Sequence, residues 1–134
     1  DVYKRQVLFP TDYTPDYSQL SLKVLFQILE RPGVTLHVLH AFTPQDSKPN
    51  RQRARKALEE LLSPYETEFT ETGQMDIVQA INTYARNVPI QLLVMVRNEH
   101  SFLENLLVTP VIDLIGFHSK IPFMVLPPLG VKEG

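Results

Sequence analysis

Residues able to do chemistry cluster where apolar runs stop. Thr11-Asp12 follows Val7-Leu8-Phe9-Pro10, His40-Ala41-Phe42 closes a β-branched stretch, and Arg97-Asn98 follows Leu92-Leu93-Val94-Met95-Val96. In a sheet of parallel strands, such ends are where ligands bind, and the chemistry usually housed there is phosphate recognition. A phosphate cradle needs glycines that let backbone N–H groups approach the anion, and open N–H groups at the start of the next helix. The loop from Val96 to Pro110 has no glycine. Glu99 places negative charge there, and Pro110 removes one N–H from the helix start. Arg97, Asn98, Ser101 and the Thr109 hydroxyl are the anion donors it retains.

Other side chains admit two readings each. Asp12 can contact a nucleotide or a metal, or it can close an Asx-turn or cap over Tyr13–Asp16. His37 and His40 fall three apart on one strand and therefore face opposite sides, which is wrong for a shared metal. His100 and His118 have no further ligand at metal spacing, so no metal site is expected. Arg51, Arg53, Arg55 and Lys56, with Lys48 ahead of them, read as a solvated helix rather than a nucleic-acid face, because they spread around the axis and Glu59-Glu60 follow. No Gly-x-Ser-x-Gly elbow is present and no acid–base pair is suggested, so no catalytic residue is named. A phosphorelay receiver fails as well: Asp12 and Asp16 are not adjacent, the third strand ends in Thr72, and Leu126-Pro127 supplies no lysine. Tyr13, Tyr17, Phe42, Phe102 and Phe117 can line an apolar pocket, or simply be core.

The elements that must position these groups alternate. Strands are expected over Gln6–Pro10, Val34–Phe42, Glu66–Thr72, Ile90–Val96 and Ile121–Leu126. Helices are expected over Ser18–Glu30, stopped by Arg31-Pro32-Gly33, over Arg51–Leu62, and after Asp76 with Ile77, Ala80, Ile81, Tyr84 and Ala85 inward. Thr109-Pro110 signals a fourth helix, to His118, and Thr43–Asn50 reads as a loop. This alternation predicts one α/β domain over residues 1–134, an open five-stranded parallel sheet with helices on both faces, Rossmann-like.

Composition bounds the function. Apolar residues make up 43% and charged residues 21% of 134, so the chain folds around a real core. A net charge of −2 gives no general pull toward nucleic acid or membrane. Without cysteine there is no thiolate chemistry, and a reducing cytoplasm is the expected location. No apolar run is long enough for a bilayer, and no signal peptide is read. Asp1–Gln6 reads equally as translated adapter sequence and as polar lead-in, and no function is placed on it.

Together, Val7-Leu8-Phe9-Pro10-Thr11-Asp12, Leu39-His40-Ala41 and His118-Ser119-Lys120-Ile121-Pro122-Phe123-Met124-Val125-Leu126-Pro127 resemble the universal stress protein family in order and spacing. The resemblance covers nearly the whole chain and implies that family's adenine nucleotide alpha hydrolase-like fold. Nucleotide-binding members carry Gly, two residues, Gly, nine residues, Gly, then Ser or Thr. Here those positions are Val96, Glu99, Thr109 and Pro110. Several charge-assisted contacts are thereby lost at roughly 1.5–3 kcal/mol each, most of a micromolar affinity. The resemblance therefore implies the branch that does not bind ATP, with no cofactor. Its nucleotide-site positions fall on Thr11, Asp12, Ala41, Arg97, Asn98 and Thr109. Members commonly dimerise through the last strand, which implies a homodimer interface of Ile121, Phe123, Met124, Val125 and Leu126. The apolar character of that strand, with Pro122 and Pro127-Pro128 beside it, independently favours pairing. The expected function is a non-catalytic, dimeric stress-response or signalling module acting on a partner protein or a small ligand. The alternative is a weak adenine-nucleotide switch with slow ATP hydrolysis, using ATP or AMP with Mg.

Overall fold

Val7, Leu8 and Phe9 are all buried, so their strand has protein on both faces and must be central. The computed structural model describes residues 5–13, 17, 22–41, 47–73, 77–96 and 121–126. In them, β1 (Arg5–Pro10), α1 (Lys23–Leu29), β2 (Val34–Ala41), α2 (Pro49–Leu62), β3 (Thr67–Thr72), α3 (Ile77–Asn87), β4 (Leu92–Val96) and β5 (Phe123–Leu126) follow in chain order. The strands form one parallel sheet in the order β3-β2-β1-β4-β5. Strand order reverses between β1 and β4, which fixes the switch point at the ends of those two strands.

Side-chain alternation sorts the helices onto the two faces. Leu36 and Val38 of β2, with Val94 and Val96 of β4, pack with Leu25 and Leu29 of α1 and Leu58 and Leu62 of α2. Leu8, Leu39, Leu93 and Met95 pack on the other side with Ala80 and Ile81 of α3. Helices therefore cover both faces, as the alternation of elements predicts. The expected helix to His118 lies outside the described residues.

Several element ends differ from expectation, each for a local reason. Helix α1 starts at Lys23, with Leu22 as a cap that makes no side-chain hydrogen bond, and residues 18–21 of the expected helix lie outside the described residues. It stops as expected: Gly33, at φ 80°, turns the chain into β2, and its carbonyl accepts the Arg5 N–H at 2.8 Å. That bond extends β1 one residue earlier than Gln6. Helix α2 begins at Pro49, inside the expected loop, because proline at the first helical position fixes φ and lacks an N–H that would go unpaired. Strand β3 starts at Thr67, one residue later than Glu66. Strand β4 starts at Leu92 rather than Ile90, since the Gln6 N–H is taken by the Gln91 side-chain oxygen at 2.5 Å. Strand β5 starts at Phe123 because Pro122 offers only its carbonyl, which accepts the Leu93 N–H at 3.0 Å. Strand β2 ends at Ala41, and Phe42 lies outside the described residues.

Leu58 is 1% exposed and holds α2 to the sheet, whereas Val24 on α1 is 45% exposed. Leu58→Ala is expected to cost about 2–5 kcal/mol through lost burial and the cavity left behind. Val24→Ala should stay within about 0.5 kcal/mol. Urea unfolding of both variants checks this; equal losses would put α2 outside the core.

Candidate functional site

Thr11 is the first residue past β1, and every polar atom it has is bonded inside the protein. Its N–H donates to the Leu39 carbonyl at 3.0 Å, and its carbonyl accepts Nδ1–H of His40 at 2.9 Å. Its hydroxyl pairs with the Tyr17 hydroxyl at 2.6 Å and accepts the Tyr13 N–H at 3.3 Å. Thr11 is 1% exposed and His40 equally buried, so these bonds replace water for groups that could not otherwise be buried. The turn they hold is tight enough to put Tyr13 at φ 59°, the left-handed region that costs a bulky residue free energy. Its ring contributes in return: it is buried, with its centroid 4.5 Å from that of His40. Tyr17 is fully buried and meets Phe9 edge-on. Tyr17 is core, whereas Tyr13, though buried, has one side of its ring bordering a polar cleft.

Register brings the other sequence-predicted positions alongside. Pro10 is paired with Leu39 and Leu8 with Leu93, so Asp12, Ala41 and Val96 all end at the same edge of the sheet. Ala41 is half-buried and paired with Thr72. Arg97, Asn98 and Thr109 lie outside the described residues, as do Phe102 and Phe117. The interface candidates Ile121 and Phe123–Leu126 lie at the opposite side from β3, along the sheet's β5 edge. Leu126 is buried in the chain's own core and Met124 packs against it, while Val125 packs toward α3.

Two site residues escaped the sequence. Arg51 and Arg55, read there as part of a solvated helix, reach the site from α2. The Arg51 guanidinium donates to the Asp12 carbonyl at 2.9 Å and so braces the turn after β1. Arg55 lies over the Tyr13 ring at 5.8 Å and pairs with Glu71 of β3 and with Glu59 one turn on. Burial alone would lower the Arg55 pKa, but Glu71, Tyr13 and Glu59 together raise it. Tyr13, His40, Arg51, Gln52, Arg55 and Glu71 line a cleft of about 140 Å³. The missed signal was Pro49: starting α2 there moves its first turns up beside the strand ends. Among the described residues, no group of three His, Cys, Asp or Glu side chains is placed to hold a metal. No described helix is long and apolar enough to cross a membrane.

An open five-stranded parallel sheet with helices on both faces defines an α/β domain of the Rossmann-like type. The model of the universal stress protein family matches residues 4–127, and the chain belongs to that family. A search of curated proteins gives no match. Among solved structures, a universal stress protein in complex with cAMP is 22% identical, with 91% of this chain and 95% of that one covered at a TM-score of 0.56. The universal stress protein from Archaeoglobus fulgidus is 14% identical over 93% and 99%, also at 0.56. UspA from Lactobacillus plantarum is 15% identical over 94% and 99%, at 0.54. At these identities the structures establish the fold alone; the family match is what makes the chain a stress-response module.

The second histidine of β2 does different work on the α3 face. His37 Nε2–H is bonded to the Gln6 side-chain oxygen, which leaves Nδ1 to accept the Tyr84 hydroxyl at 2.5 Å. Burial pushes the His37 pKa below 6.5, against a smaller upward pull from Glu68 at 3.8 Å. Glu68 is 64% exposed, so its charge is screened and desolvation wins. Burial likewise raises the Tyr84 phenol, opposed by a hydrogen bond from Thr70. His37 is thus neutral when folded, and stability is full above pH 6.5, where both states are neutral. As pH falls below 6.5 the unfolded chain takes up its proton first, and this contribution fades until the folded His37 also titrates. His37→Gln should flatten that part of the urea-midpoint profile. An imidazole NMR titration placing His37 at or above 6.5 would contradict the assignment.

Proposed function

We propose that this universal stress protein is a non-catalytic, homodimeric cytoplasmic module that acts through a partner protein or a small ligand other than ATP. The observation that carries this reading is the glycine-free loop after β4: Val96, Glu99 and Thr109 stand where nucleotide-binding relatives have glycine, and Pro110 where they have a hydroxyl. The site's architecture supports it. The Thr11 hydroxyl and carbonyl are bonded inward, and the Asp12 carbonyl is taken by Arg51. No cofactor, nucleic acid or membrane is assigned to it.

A second reading is favoured by one relative, the universal stress protein in complex with cAMP. A cyclic nucleotide carries a single phosphodiester charge and asks less of a phosphate cradle than a triphosphate does. Asp12 and the Ala41 backbone, with Arg97, Asn98 and Thr109, would then form a weak adenine-nucleotide site. Calorimetry with ATP–Mg, AMP and cAMP separates the readings. The first expects no saturable heat at millimolar ATP; micromolar ATP binding lost in Asp12→Ala would overturn it. Saturation by cAMP or AMP alone would select the second.

Dimerisation through β5 has its own test. The bond from Leu93 to Pro122, with Leu93 in register with Phe123, turns the N–H groups of Phe123 and Val125 away from β4. Those N–H groups are what a second copy would pair with. Val125→Pro removes one without touching the β4–β5 ladder, and proline is tolerated on an edge. Light scattering should show a dimer for the parent chain and a monomer for the variant. A monomeric parent at tens of micromolar, or a dimeric variant, counts against this interface.

A further inference from the structure

We propose that the cleft between the turn after β1, the ends of β2 and β3, and the first turns of α2 binds a small ligand through one carboxylate or phosphomonoester group, with Arg51 as its anchor. The inference goes beyond the function proposed above, since it holds whether or not ATP binds beside β4.

Charge bookkeeping around the two arginines points there. Arg55 is matched: Glu71 and Glu59 both pair with it. Arg51, one turn earlier and half-buried, has only the Asp12 carbonyl and, among the described residues, no carboxylate. A guanidinium carries five N–H donors in a planar fork, and one bond to a neutral carbonyl leaves its charge uncompensated. No acid lies within a turn of it on its own helix, where Glu59 is paired with Arg55. Residues 48–56 hold Lys48, Arg51, Arg53, Arg55 and Lys56 with no acid among them, on a chain whose net charge is −2. The bond to Asp12 also fixes the fork in place, so little ordering is needed when an anion arrives.

The cleft sets the size and charge of what fits. At about 140 Å³ it falls below the roughly 300 Å³ at which pockets for whole drug-sized ligands begin, so it takes a head group rather than a nucleotide. Gln52, whose amide also donates to the Ser47 carbonyl at 3.4 Å, stands at the rim, and the Tyr13 ring, held between His40 and Arg55, forms a flat wall. Glu71 lines the same space. It limits the ligand to one anionic group, because a second would meet its carboxylate.

The test is an NMR titration of the full chain with inorganic phosphate and, separately, with acetate, each against sodium chloride at matched ionic strength. Saturable shifts are expected at Tyr13, His40, Arg51 and Gln52, including the Arg51 side-chain Nε–H. Tighter phosphate binding would identify a phosphomonoester ligand, and tighter acetate binding a carboxylate. Arg51→Gln should weaken the favoured anion about tenfold or more, the loss of one charge-assisted contact. Arg51→Lys keeps the charge and a donor for Asp12, so it should fold like the parent and fall between the two. Arg31→Gln, beside Arg5 at the other end of the strands, should change nothing. Shifts no larger than those with chloride, or saturation equal in parent, Arg51→Gln and Arg51→Lys, would overturn the proposal. ATP–Mg binding unaffected by Arg51→Gln would instead count against the non-ATP function and leave this site standing.

Discussion

The complete bonding of Thr11 is the constraint on which the site depends. A central strand buried on both faces can expose polar chemistry only at its end, and here the end itself is 1% exposed. Four polar contacts join the backbone and hydroxyl of this residue to β2 and to the turn after β1. Those contacts offset the cost of burying the His40 imidazole and the Tyr17 hydroxyl. The left-handed Tyr13 follows from them, because the chain must reverse within two residues to return its N–H to the Thr11 hydroxyl. Arg51 then closes the turn from outside through the carbonyl between them.

The two histidines of β2 show how a single strand divides its labour. They share a strand and a chemistry, yet the sheet separates them. His40 faces α1 and α2 and fixes the strand-end turn, and His37 faces α3 and joins Gln6 of β1 to Tyr84 of α3, which is itself bonded to Thr70 of β3. Because they point to opposite faces of the sheet, the two rings cannot meet at one metal ion. Their opposite orientation is a consequence of the period of two along any strand, which is why the sequence alone was enough to derive it.

What could be read in advance is what depends on periodicity. Consecutive burial of Val7-Leu8-Phe9, the inward row of Leu58 and Leu62, and the polar, half-exposed β3 are local patterns, and they survive folding unchanged. Boundaries were less legible where a hydrogen bond decides them. The Gln91 side chain replaces a backbone partner at the start of β4, and Pro122 withholds an N–H at the start of β5. The roles of Arg51 and Arg55 were hidden for another reason. A helical wheel assigns basic residues to solvent, but the first turns of α2 stand beyond the end of the helix–sheet contact, where a long side chain can cross to the neighbouring turn. Tertiary placement, not composition, makes these arginines part of the site.

This bears on how the Pro10-Thr11-Asp12 run should be weighed. Met as a motif, it suggests a surviving nucleotide site, since relatives that bind nucleotides carry it. In the folded chain Thr11 is accounted for by the architecture: replacing it with an apolar residue would leave Tyr17 and the Tyr13 N–H without their buried partner. Asp12 contributes its carbonyl to Arg51, a backbone bond that braces the turn after β1. A chain can therefore keep the threonine for folding alone after the glycines of the β4 loop are gone. The threonine at the first strand end thus has a structural account of its own, independent of any ligand. The positions from the end of β4 onward that the family resemblance sets against it read Val96, Glu99, Thr109 and Pro110, and no bond among the described residues ties Thr11 to them.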